Sequence, residues 1–158
     1  MVRPQDVTDN AMPSGTSLAV DVLLRAGMLL GEPSWSDRAR LTLERLAPTA
    51  AKAPVAFGHL LAALDFHLGP VVELAVIGDP GDSQTDRLLE VIRERFLPNR
   101  VLAAGAGRGA IPLLADRQAL GGKATAYLCE HFVCQAPTQD PGELARQLDA
   151  FRAKPVAS

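Results

Sequence analysis

The chain has 158 residues, a formal net charge of −2 and only 4% aromatic residues. These values fit one domain of ordinary size whose core consists of Ala, Leu and Val. No cluster of Lys and Arg is present and no apolar run approaches the ~18 residues that span a bilayer, so neither a nucleic-acid nor a membrane partner is expected. The N-terminus is polar and lacks a signal-peptide core, which predicts a cytoplasmic protein.

The first part of the chain predicts helices. Ser14 is the expected N-cap of the first helix, and Gly31 is expected to end it. A second helix should begin near Ser34 or Ser36, with charged residues along one side and leucines along the other. Pro48 is expected to end or kink this second helix, because proline lacks a backbone N–H.

A third predicted helix begins at about Pro54 and ends at Gly69. It is apolar on almost every side, so we expect it to be buried. Its polar side chains are His59, Asp65 and His67. A histidine on an apolar helix is usually a core residue, whereas a buried aspartate needs a partner or serves as a cavity acid. Asp65 and His59 are therefore the candidate catalytic acid or base.

The second part of the chain predicts a mixed α/β unit. An apolar strand covers residues 71–77, an amphipathic helix covers residues 85–96, and a short strand covers residues 101–104. This βαβ arrangement predicts that the two strands are parallel. The cysteine-bearing segment should add one or two strands, and a final helix should follow Asp140 as its cap.

The loop before the first helix is a candidate ligand site. Amide, hydroxyl and carboxylate groups lie close together in it, on Asp9, Asn10, Ser14, Thr16 and Ser17. Such groups bind a polyhydroxylated ligand when they project into a cavity. The alternative is a capping box that only satisfies free backbone donors at the helix N-terminus.

Cys129 and Cys134 are the only cysteines. A thioredoxin-like motif has two residues between its cysteines at a helix N-terminus, whereas four residues intervene here in a β context. Zinc needs four ligands, and only His131 lies nearby as a third. The two sulfurs meet only if the strand turns between them, at Glu130 and His131. Free cysteines in strands are the favoured interpretation, with a redox or metal role as the alternative.

The glycines at positions 105, 107 and 109 do not form a nucleotide-binding motif. The dinucleotide fingerprint requires its third glycine one position later, and no Walker-type lysine is present. Turn glycines are the expected interpretation. No cofactor and no metal are predicted.

Three segments, in this order, carry a resemblance to a known family: residues 9–17 (DNAMPSGTS), residues 56–65 (AFGHLLAALD) and residues 125–137. They resemble the C-terminal end of the thioredoxin-domain-containing, spermatogenesis-associated protein family. The resemblance implies an α+β, mixed fold. Residues 1–69 would be helical hairpins from an α/α toroid, similar to six-hairpin glycosidases and N-acylglucosamine epimerases. Residues 70–158 would be a small α/β unit.

The resemblance also implies that this chain is a fragment, because family members are several times longer and begin with a thioredoxin-like domain. The leading hypothesis is a chain that is inactive alone, whose Asp9–Ser17 loop contacts a carbohydrate-like ligand in the intact protein. Its expected partners are the missing thioredoxin-like and toroid parts, or a second copy. The alternatives are a sugar isomerase, epimerase or glycosidase-like enzyme using Asp65 or His59, and a thiol redox or metal-binding module.

Overall fold

The computed structural model describes residues 6–107, 111–131 and 133–153. The chain divides into two compact units, residues 1–68 and residues 69–158. Gly109, the third glycine of the turn discussed above, lies outside the described residues. Within the described part, no helix is both long and apolar enough to cross a membrane.

The first unit is helical. Its elements are α1 (Gly15–Leu30), α2 (Pro33–Lys52), a 3₁₀ turn (Pro54–Phe57) and α3 (Gly58–Leu68). The predicted ends of α1 are confirmed: Ser14 caps its start, and Gly31 ends it with a left-handed φ of 66°. This conformation is natural for glycine, which has no Cβ to clash with the preceding carbonyl.

The second helix begins next to the predicted Ser34 and extends past Pro48. It starts at Pro33, because proline is well suited to the first turn of a helix, where its missing N–H has no intrahelical partner. Pro48 does not end α2, which continues to Lys52.

The third helix is buried on one face only. Leu60, Ala63 and Phe66, spaced three residues apart, form that face. Asp65 is exposed and Leu68 is 72% exposed, so the expectation that the helix is buried around most of its circumference is wrong for the described residues. The physical reason is that the helix packs against α1 and α2 and leaves its other side uncovered.

The second unit contains a four-stranded mixed sheet in the order β2-β1-β3-β4. β1 pairs with β2 in parallel, as the βαβ prediction requires, and β3 is antiparallel to β1 and β4. The elements are β1 (Val72–Ile77), α4 (Ser83–Arg93), β2 (Arg100–Gly105), α5 (Pro112–Ala115), a 3₁₀ turn (Leu120–Gly122), β3 (Thr125–Glu130), β4 (Val133–Cys134) and α6 (Pro141–Arg152).

Aspartate side chains start both long helices of this unit. Asp82 accepts hydrogen bonds from the backbone N–H groups of Gln84 and Thr85 at the start of α4. Asp140 accepts from the N–H of Gly142 at the start of α6, which confirms its predicted role. These carboxylates satisfy donors that have no partner inside the helix.

The central strand β1 separates two faces of the sheet. Every residue of β1 is buried, and alternate residues point to opposite faces. On one face, Val72, Leu74 and Val76 belong to a core with leucine and isoleucine side chains of α4 and α6. The opposite face carries Glu73 and is approached by α5.

Candidate functional site

The carboxylate of Asp9 joins two parts of the helical unit. Its Oδ1 accepts a hydrogen bond from the Ser14 N–H at 2.8 Å. Its Oδ2 accepts from the N–H groups of His59 at 2.8 Å and Leu60 at 3.1 Å, which lie in the first turn of α3. Asp9 therefore satisfies free donors at a helix that begins 49 residues later in the chain, counting from position 9 to position 58.

The same contacts set the charge state of Asp9. Burial raises the pKa of this carboxyl, but hydrogen bonds from Ser14, Ser17, Leu60 and His59 outweigh the burial and lower the pKa below 3.8. Each of these donors favours the ionised form. The carboxylate is thus charged at neutral pH, 9% exposed and fully engaged within the chain.

Two further predicted ligand residues belong to this capping network. Ser14 Oγ accepts from the Ser17 N–H at 3.0 Å and lies 2.9 Å from Ser17 Oγ. Both serines are buried. The capping alternative therefore accounts for Asp9, Ser14 and Ser17. Thr16 is half-buried and takes no part in these hydrogen bonds.

An open depression of about 660 Å³ lies beside this network. Asp9 and Asn10 line one side, and residues 52–56, at the end of α2 and in the 3₁₀ turn, line the other. Asn10 and Lys52 are exposed, so they offer a carboxamide and an ammonium group to a ligand. A concave surface with a few polar groups is the usual form of a small-molecule site.

The predicted acid–base residues do not line this depression. His59 Nε2 lies 3.9 Å from Asp21 Oδ2, too far for a hydrogen bond, and Asp21 is paired with Arg25 at 2.7 Å. Asp65 is exposed, so it is not the buried aspartate that would need a partner or serve as a cavity acid. Positions 59 and 65 are six residues apart, which places their side chains about 120° apart around α3. The structure therefore does not assemble Asp65 and His59 as a pair.

The two cysteines form a disulfide, so the interpretation as free cysteines is wrong. The chain turns at His131, which has a positive φ of 49°, and this turn makes Cys129 and Cys134 directly opposite partners of β3 and β4. The two sulfurs therefore meet because the strand turns between them, as the sequence analysis required. Because the sulfurs bond to each other, neither is a thiolate ligand for zinc in this state.

One residue near the disulfide was missed in the sequence. The Arg117 guanidinium places Nη2 3.1 Å from Cys129 Sγ and 3.3 Å from Cys134 Sγ. Arg117 follows α5 by two positions and stands 12 residues before Cys129, so no local spacing links the two. Across residues 6–107, 111–131 and 133–153, no group of three His, Cys, Asp or Glu side chains is arranged to hold a metal ion.

Known proteins similar to this chain are much longer. The chain is 29% identical over 153 residues to spermatogenesis-associated protein 20 of Rattus norvegicus, covering 93% of this chain and 19% of the rat protein. The human protein of that name gives 29% over 153 residues, with 93% and 20% covered. An uncharacterized protein of Caenorhabditis elegans is 24% identical over 161 residues, with 95% and 21% covered.

The chain thus spans about a fifth of the length of the curated relatives that it matches. No protein-family model matches the chain, and no solved structure matches it either. The similarity to spermatogenesis-associated protein 20 agrees with the resemblance drawn from the sequence motifs.

Proposed function

We propose that this chain is the C-terminal portion of a longer protein of the spermatogenesis-associated type and has no activity alone. The observation that carries the proposal is the alignment, which extends over 93% of this chain but only 19% of the rat relative. In the intact protein, the first unit would complete an α/α toroid whose other helices lie elsewhere in the sequence.

Exposed apolar side chains on the helical unit support this proposal. Leu18 and Val22 stand one turn apart on α1, and Val22 is 60% exposed. The opposite face of α1 is also apolar, since Val20 and Leu24 are buried there. A helix that is apolar on both faces is typical of a position between two layers. Leu68 on α3 adds to the uncovered surface.

The test is self-association of the isolated chain, measured by sedimentation velocity over a range of concentrations. We expect concentration-dependent association, which the double change Leu18→Gln and Val22→Gln should weaken, because it removes the apolar surface of α1. Phe96→Gln is the control, since Phe96 is exposed but lies in the other unit. A compact monomer at every concentration would contradict the proposal.

We propose that the depression beside Asp9 binds a carbohydrate-like ligand, in the isolated chain as in the intact protein, because residues of the first unit line it. Asn10 and Lys52 would contact the hydroxyl groups, because both side chains are exposed at the depression. Asp9 would hold the loop in place rather than contact the ligand, since its two oxygens already accept hydrogen bonds from Ser14, His59 and Leu60.

The ligand proposal is tested by titrating the isolated chain with glucose, mannose and N-acetylglucosamine and following backbone amide chemical shifts. We expect shifts that cluster at Asn10 and residues 52–56 and that Asn10→Ala and Lys52→Ala abolish. Lys123→Ala removes an exposed lysine from the other unit and serves as the control. Uniformly unchanged spectra would contradict the proposal.

A further inference from the structure

The two residues joined by the Cys129–Cys134 disulfide differ in their exposure to solvent. Cys129 lies in β3 and is 0% exposed. Cys134 lies at the end of β4 and is exposed. A thiolate that approaches from solvent therefore reaches the Cys134 sulfur, and Cys129 becomes the leaving group.

Arg117 provides a positive charge to both sulfurs. Its Nη1 donates to the carbonyl of Leu113, and its guanidinium carbon lies 5.8 Å from the centroid of the Tyr127 ring. The guanidinium gains little from a neutral disulfide, because disulfide sulfur is a weak acceptor. It gains much more from a thiolate, since hydrogen bonds to an ionised partner are stronger. Arg117 therefore favours the cleaved state over the disulfide.

A buried carboxyl group stands on the neighbouring strand. Glu73 is 3% exposed, and its Oε2 makes no hydrogen bond to any described residue. Glu73 and Cys129 are register partners of β1 and β3, so their side chains project from the same face of the sheet. Reduction followed by protonation would give Cys129 an S–H group. This group can donate a hydrogen bond to the Glu73 carboxyl, which the disulfide cannot do.

We propose that Cys129 and Cys134 form a thiol–disulfide exchange site that takes two electrons from a dithiol. Arg117 stabilises the thiolates, and Glu73 accepts a hydrogen bond from Cys129 once that thiolate has been protonated. This exchange site is independent of the proposed carbohydrate site, because its residues belong to the second unit and the depression belongs to the first.

The reaction has two balanced steps. A thiolate of the dithiol attacks Cys134 Sγ, the bond between the two cysteine sulfurs breaks, and the electron pair leaves with Cys129 Sγ as a thiolate beside Arg117. The second thiol of the reductant, after losing its proton, attacks the mixed disulfide and releases the Cys134 thiolate. The dithiol is oxidised to a disulfide, and its two protons go to the cysteine thiolates or to solvent.

A purely structural role explains less of this arrangement. The disulfide joins residues only five positions apart, and short loops lose the least chain entropy on closure. The two strands are also joined next to the disulfide by the Gln135 N–H bond to the Leu128 carbonyl, at 2.9 Å. A purely structural disulfide requires neither a guanidinium at both sulfurs nor a buried carboxyl oxygen that makes no hydrogen bond to any described residue.

Several ionisable groups surround the sulfurs and share in any pH dependence. Arg117 favours thiolates, whereas Glu73 on β1 opposes them when ionised. Glu130 precedes the turn on β3, and His131 lies in it. Tyr127 shares the sheet face of Cys129, and its hydroxyl donates to the Gln118 carbonyl at 2.7 Å.

The first experiment measures the rate at which dithiothreitol reduces the full chain, by trapping free thiols with iodoacetamide and mass spectrometry. Arg117→Gln should slow the reaction about tenfold, because the leaving thiolate loses its opposite charge. Arg117→Lys should restore most of the rate. Arg87→Gln removes an arginine from α4, which packs on the other face of the sheet, and should leave the rate unchanged.

Far-UV circular dichroism of the wild-type chain, recorded during the reduction, distinguishes a thiol–disulfide exchange site from a purely structural disulfide. We expect the wild-type chain to be reduced while its signal stays unchanged. Reduction that proceeds only as the chain unfolds, or at equal rates in wild type and Arg117→Gln, would overturn the proposal.

The second experiment assigns the attacked sulfur. Cys129→Ser leaves the exposed Cys134 thiol, and Cys134→Ser leaves the buried Cys129 thiol. With an aromatic disulfide reagent in native buffer, Cys129→Ser should react at least about tenfold faster. The Cys134 thiol pKa, measured by thiolate absorbance, should lie below the ordinary value of about 8.5 and should rise in Cys129→Ser/Arg117→Gln. Equal reactivity of the two thiols and an ordinary pKa would contradict the assignment.

Discussion

At the residue scale, Asp9 shows how one carboxylate fixes two helices. A polar residue in a loop is compatible with both a ligand contact and a helix cap, because both uses need the same acceptor atoms. In the structure, both carboxylate oxygens of Asp9 accept hydrogen bonds from the backbone N–H groups of Ser14, His59 and Leu60. The side chains left for a ligand are those of Asn10 and Lys52, at the depression.

Asp9→Ala should destabilise the helical unit by about 2–3 kcal/mol, because three buried or part-buried backbone donors lose a charged acceptor. Urea unfolding followed by circular dichroism measures the change. Amide hydrogen exchange at His59 and Leu60 should accelerate more than exchange elsewhere. Asp6→Ala is the control, since Asp6 is exposed and bonds only to Thr8 among the described contacts, and it should change the stability by less than about 0.5 kcal/mol.

The lowered pKa of Asp9 predicts a loss of stability in acid. In the unfolded chain this carboxyl takes up a proton near its ordinary value of 3.8, while in the folded chain it does so at lower pH. Its contribution is therefore complete above the unfolded value and disappears as the pH falls through the folded value. Asp149 has a lowered pKa as well, because Arg95 donates hydrogen bonds to it.

The variant Asp9→Asn separates the contribution of the Asp9 carboxyl to the acid-induced loss of stability from that of Asp149. The free energy of unfolding of the wild type should fall more steeply than that of Asp9→Asn between about pH 5 and about pH 2.5. The remaining slope of Asp9→Asn should include the Asp149 contribution. Parallel curves for the two proteins would show that Asp9 is not the group responsible.

At the element scale, the second unit is held by two helices on one sheet face. The apolar run of β1 and the i, i+4 spacing of Leu144 and Leu148 in α6 are visible in the sequence. The structure packs them together in one buried core. The hairpin of β3 and β4 could not be predicted in the same way. Its turn at His131 depends on a positive φ, which the residue type does not dictate.

Leu148→Ala tests this core. The side chain is 0% exposed, so the substitution removes buried methyl groups and leaves a cavity, at a cost of about 2–5 kcal/mol. Thermal unfolding of the pure variant measures the loss. Phe96→Ala, which truncates an exposed aromatic ring of the same unit, should have little effect by comparison. Similar losses in both variants would place the core elsewhere.

At the scale of the whole molecule, the second unit has a core built from its own residues. The core of strands and helices in the second unit draws only on residues between Val72 and Phe151. We expect residues 69–158, produced alone, to give a cooperative unfolding transition and to retain the loss caused by Leu148→Ala. A fragment that shows no cooperative transition would contradict the independence of this unit.

The sequence by itself determined the local elements, because caps, turn residues and apolar periodicity act over a few positions. It predicted the Ser14, Gly31 and Asp140 helix ends and the parallel βαβ unit. It did not reveal which face of α3 is covered, since coverage depends on which other helices are present.

Only the tertiary structure determines which partners the polar side chains contact. Asp9 meets His59 across 50 positions, and Arg117 meets Cys129 across 12. These distances in the chain are closed by packing and strand register, which no local pattern encodes. For the same reason the cysteine spacing favoured free thiols, whereas the hairpin register brings the two sulfurs together as a disulfide.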